Sequence, residues 1–180
     1  NSAGKQRRTA VRDALSFRVV RRLQFRQSPQ RENAVEIREG LAQYTGMRVA
    51  GQSAAQVVKH GQALRDSTDG IVRSFGYISG PLYGYLLDDA TNDSWRPHVA
   101  GQTDLGAMLA EAMNITPAVE RVDKLALRYG GAALRTAEDE REEVRQARLT
   151  RWRETLVEGP VLIVDLKLCT SRAMDTRHVF

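Results

Sequence analysis

One cysteine, Cys169, stands in 180 residues. That excludes an intrachain disulfide framework, a multi-cysteine zinc site and an iron–sulfur cluster. The three histidines, His60, His98 and His178, lie far apart, and none has a partner four residues on. No glycine-rich phosphate loop, Walker pattern or Gly-x-Ser-x-Gly elbow occurs, so nucleotide binding and serine-hydrolase chemistry have no signature here. No apolar run approaches the ~18 to 20 residues a membrane helix needs, and no secretory signal pattern opens the chain. Asn1-Ser2 and Val179-Phe180 read as cut ends. The expectation is a soluble protein, secreted or periplasmic if a signal segment was removed.

What is present is core-forming material: 42% hydrophobic residues against 27% charged, which rules out wholesale disorder. The formal net charge of +5 is unevenly placed. Residues 1–32 carry nine basic side chains against Asp13 and Glu32, whereas the remaining 148 residues are slightly acidic. The basicity therefore belongs to one segment, which lacks the aromatic interleaving of a single-strand binder. Nucleic acid is not the expected partner.

The dominant period is helical. Val11, Leu15, Val19 and Leu23 form a stripe over about residues 5–26, with arginines on the other face. That face reads as solvated, its arginine stems covering apolar neighbours. A second helix is predicted over 32–47, a third after the N-cap candidate Ser53, and a fourth over 70–88, where Pro81 would kink it or start a new segment. Thr103 is read as the cap of a short helix over 104–113, and Thr116-Pro117 as the opening of another. Gly130-Gly131 breaks that helix before a long charged one over 132–156. Branched residues over 161–168 predict a strand. The fold class is mainly α, with a helical domain over 1–156 and a C-terminal strand segment over 157–180.

Two stretches carry chemistry. In Glu36-Ile37-Arg38-Glu39-Gly40-Leu41-Ala42-Gln43-Tyr44, uniform helical geometry puts Glu36 and Gln43 on the polar side and Glu39 at the margin of the apolar stripe, between Val35 and Ala42. A partly buried glutamate must be paired, hydrogen-bonded or bound to a metal, and a salt bridge to one of the many arginines satisfies that as well as a metal does. Gly40 suits a close approach by another backbone. Further on, Gly76, Gly80 and Gly84 recur every four residues and open a groove for a second helix, with Tyr77 turned toward the packed neighbour. Helix packing alone accounts for that stripe equally well.

Arg38-Glu-Gly-Leu-Ala-Gln-Tyr44 resembles the Asn-Glu-Gly-x-Ala-x-Tyr helix of gluzincin metallopeptidases, the class of thermolysin and the aminopeptidase N family. Tyr77-Ile-Ser-Gly80 resembles the Tyr-x-Lys-Gly segment of the latter. The resemblance implies the C-terminal subdomain of a bacterial zinc peptidase, with Glu39 as a zinc ligand, Tyr77 as oxyanion donor, and Gly40, Tyr44 and Gly80 as supporting residues. Arg38 and Ser79 depart from the family pattern, and no His-Glu-x-x-His occurs in the chain. The resemblance places that helix upstream of Asn1. It implies zinc and a peptide or protein substrate for the complete protein, and neither tight zinc binding nor activity for this chain alone. A competing reading is a non-catalytic helical interaction domain whose basic N-terminal helix meets an acidic protein, nucleic acid or a membrane surface.

Overall fold

The helical periodicity is realised throughout the computed structural model, which describes residues 2–67, 71–72, 74–101 and 103–160. No strand occurs among them, and the predicted strand at 161–168 lies outside the described residues. Two compact units are present, Asn1–Ala126 and Leu127–Phe180.

In the first unit, helix α1 (Ser2–Gln24) buries Val11 and Leu15, while Leu23 near its end is exposed. The next helix begins at Ser28-Pro29. Proline is accommodated in a first turn, where its missing N–H leaves no bond unmade. Helix α2 (Ser28–Val35) runs without interruption through a π-turn (Glu36–Gly40) into α3 (Leu41–Val49). Helix α4 (Ala54–Asp66) opens on the expected Ser53. Ser53 and Gln56 form a reciprocal capping box, each side chain serving the other's backbone N–H.

Helix α5 (Phe75–Thr91) is the centre of the unit. It starts later than the apolar stripe predicts, because Ile71 is exposed and lies before it. Pro81 sits inside α5 fully buried, and the helix continues through it instead of restarting. The α2–α3 helix, α4 and α6 (Leu105–Ala112) all pack on α5. The core between them holds Tyr44, Met47, Val57, Leu87, Trp95, Leu105 and Leu109.

Two expected helix starts are corrected. The cap of α6 is Asp104, whose carboxylate accepts from the Gly106 and Ala107 N–H groups at 3.0 and 3.1 Å. Thr103 instead accepts from the Ala100 N–H at 2.7 Å. Thr116-Pro117 opens no α-helix; a 3-10 turn (Val119–Arg121) leads into α7 (Val122–Arg128). The Ala118 N–H there donates to the fully buried Ser16 hydroxyl at 2.8 Å, tying the connection to α1.

In the second unit, Gly130 adopts φ +77°, a conformation glycine takes without strain, and α8 (Gly131–Arg153) follows. No residue of α8 is buried. Its surface carries Glu138–Arg141 and Glu142–Arg145 pairs one turn apart. Arg145 and then Gln146 hydrogen-bond Glu142 and hold its carboxyl down to about 2.

Candidate functional site

The glycine stripe of α5 does what its spacing predicts. Val35 lies against Gly76, Gly40 against Gly80, and the Tyr44 ring against Gly84. A Cβ built on Gly80 would stand 2.3 Å from the Gly40 Cα, and one built on Gly40 would stand 2.6 Å from the Gly76 carbonyl oxygen. Nothing larger than glycine fits at either crossing position. The α2–α3 helix and α5 thus touch backbone to backbone beside the two residues the sequence singles out.

Those two residues are neighbours: the Glu39 carboxylate, an acceptor near the Tyr77 hydroxyl, raises the phenol pKa because a negative acceptor favours the protonated form. Their setting differs from the expected one. Glu39 is exposed, not at an apolar margin, and Tyr77 is 37% exposed, not enclosed by its neighbour. The pair forms an open surface feature where the two helices cross.

The buried carboxylate is Glu36, assigned by uniform helical geometry to the polar side. It has no solvent exposure. Arg18 grips it with both terminal nitrogens, Nη1 to Oε1 at 2.8 Å and Nη2 to Oε2 at 2.6 Å. Ser79 Oγ donates to Oε1 at 2.9 Å. The cause of the exchange between Glu36 and Glu39 is the π-turn, which starts at Glu36 and in which the Leu41 N–H bonds back to the Glu36 carbonyl. In an α-helix, residues three apart differ by roughly 60° around the axis. The wider π-turn advances less per residue, which increases that angle, so burying Glu36 swings Glu39 outward. Nothing in a 100° wheel reveals this.

Arg18 belongs to a larger polar cluster. It also reaches Asp104 at 3.1 Å and stacks 5.2 Å from the Tyr83 ring centre. Arg22 pairs with Glu32 at 3.0 Å and also with Asp104. Gly106 makes room, since a Cβ there would fall 2.7 Å from Arg18 Nε. Burial opposes ionisation of Asp104, but the two guanidiniums lower its pKa on balance. The reading of α1 as a helix with a solvated arginine face is therefore corrected: Arg18 and Arg22 turn inward, because buried carboxylates on α2 and the π-turn require counter-charges.

The supporting residues fall on the same axis. Gly40 and Gly80 form the crossing itself. Tyr44 is buried, and its hydroxyl meets both Asp88 carboxylate oxygens at 2.8 Å. Asp88 also accepts from Trp95 Nε1 at 2.9 Å and from Arg96 at 2.7 Å. Burial, then the Asp88 contact, pushes the Tyr44 phenol up to about 12. On the open side, Gln43 Nε2 lies 3.4 Å from His60 Nε2, which brings α4 toward the face that carries Glu39. Gln43 is only partly buried, not fully on the polar side.

A catalytic zinc requires three protein ligands. Among the described residues no three His, Cys, Asp or Glu side chains converge to hold a metal ion. Glu39 alone does not fit zinc. Cys169 and His178 lie outside the described residues. Compared with family models, curated proteins and solved structures, the chain finds no match.

Proposed function

We propose that Glu39 and Tyr77 form one side of a peptide-hydrolysing centre of gluzincin type, completed by residues outside this chain. One observation carries the reading. The carboxylate and the phenol named by two motifs 38 positions apart stand together on an open face, where the Gly40–Gly80 contact brings their helices closer than any larger pair would allow. The zinc ligand set is incomplete here, so no zinc step is assigned to this chain. Tyr77, protonated at neutral pH, can donate a hydrogen bond to an oxygen that gains charge during peptide attack. Such a donor acts where the complete site excludes water from the developing charge.

The test begins with the coding sequence upstream of Asn1, where the reading requires a His-Glu-x-x-His helix. Protein expressed with that region is then assayed for zinc content and peptide hydrolysis. Glu39→Gln should lower zinc occupancy, whereas Tyr77→Phe should keep the zinc and lower kcat by ~100-fold or more. Undiminished zinc in the Glu39→Gln protein, or no histidine pair upstream, overturns the proposal.

A further inference from the structure

Helix α8 is 23 residues long, and none of them is buried. At 1.5 Å per residue it extends for about 35 Å. Helices in proteins owe most of their stability to packing one face against a neighbour. A helix of this length with no buried residue has a face to offer.

The sequence marks that face. Ala133, Ala137, Glu140, Val144, Ala147 and Arg151 follow one another at alternating steps of four and three. The alternation places all six along one line of the helix, with the period of a coiled-coil seam. All are exposed, Val144 at 69%. Off the seam, Glu138 pairs with Arg141, Glu142 with Arg145, and Arg153 with Glu158. On it, Glu140 and Arg151 have no ion-pair partner among the described residues.

Charge along α8 is divided between its halves. Residues 131–143 hold five acidic side chains against Arg135 and Arg141, whereas residues 144–153 hold Arg145, Arg148, Arg151 and Arg153 and no acid. The helix's own dipole does not account for the division. Its effect fades within the first and last turns, and the first acid, Glu138, lies about two turns inside. Two such helices side by side and parallel would set acid on acid and base on base. Antiparallel, each acidic half meets a basic one. With Glu140 opposite Arg151 of the second copy, twofold symmetry makes that contact twice and sets Val144 against Ala147 between the two. Polar residues in a seam fix its register in the same way.

We propose that α8 pairs antiparallel with α8 of a second copy of this chain, with Val144 and Ala147 at the centre and a Glu140–Arg151 ion pair on either side. The proposal is independent of Glu39 and Tyr77. Sedimentation equilibrium of the full chain, from about 1 μM to about 1 mM, tests it, because an interface of one helix pair is small and belongs to the weak class. Wild-type protein should dimerise at low salt, and its dissociation constant should rise as salt screens the pairs.

Glu140→Arg and Arg151→Glu each set like charges together twice per dimer, and each should raise the dissociation constant ~10-fold. The two variants mixed in equal amounts should recover wild-type association, since each copy then supplies the charge the other lacks. Arg26→Glu makes the same charge change as Arg151→Glu on an exposed residue of the other unit, and should associate as the wild type does. Circular dichroism checks that each variant is folded. A wild-type chain that stays monomeric throughout overturns the proposal and leaves the face to a different protein. Unchanged association in either single reversal overturns it, as do failure of the mixture to recover and an equal loss in Arg26→Glu.

Discussion

Gly40 and Gly80 occupy each other's side-chain space: a Cβ on Gly80 would stand 2.3 Å from the Gly40 Cα. Helix backbones this close exclude every side chain at the crossing, and relief requires the helices to separate. Gly80→Ala should therefore destabilise the protein by about 2 to 3 kcal/mol, as overpacked cores do. Gly46→Ala is the contrasting case, since a Cβ there meets nothing within 4 Å inside the same long helix. It should stabilise by ~0.5 to 1 kcal/mol, as alanine does in a helix interior. Urea unfolding of the two variants checks both signs.

Asp104 combines two roles that substitution can separate. It caps α6 and pairs with Arg18 and Arg22. Asparagine caps as well as aspartate does, so Asp104→Asn should lose only the ion pairing, whereas Asp104→Ala should lose about 1 kcal/mol more. The folded-state pKa of Asp104 lies below its ordinary value, so its contribution is present above that ordinary value and vanishes as pH falls through the folded one. Between pH 5 and 2, stability should decline less steeply in Asp104→Asn than in the wild type. Thermal melts across that range measure it.

Alkali should act through two phenols. Tyr44 and Tyr83 are both pushed up to about 12, chiefly by burial. A folded pKa above the unfolded value of about 10 gives stability that is complete below pH 10 and is lost as pH rises through 12. Tyr83→Phe should flatten the decline between pH 10 and 12. Tyr44→Phe should flatten it too but start from a less stable protein, because Asp88 then loses a buried donor. Denaturation midpoints against pH distinguish the two.

The basic α1 helix should bind duplex DNA weakly and without sequence preference. Arg18 and Arg22 are paired internally, Arg7 pairs with Asp89 at 2.5 Å, and Arg8 donates to the Met113 and Asn114 carbonyls. Few phosphate contacts remain for α1 to make, so any binding should disappear at moderate salt. Fluorescence anisotropy with two unrelated duplexes tests this. Selective binding that survives physiological salt would favour the interaction-domain reading.

The sequence by itself determined the elements that follow from local rules. The period of 3.6 marks helices around Leu15, Val57 and Leu86, Ser53 marks a helix start, and Gly130-Gly131 marks a break. Glycines four apart on α5 announce a close crossing, and the α2–α3 helix makes it. Tertiary structure decided which glutamate is buried, and it reversed the local answer. A helical wheel assumes equal steps, but the chain is pinned at Gly40 by a backbone contact and at Glu36 by Arg18, a residue of another helix. Residues 18 and 36, like residues 40 and 80, meet only in the folded chain, so no local pattern encodes which carboxylate is buried.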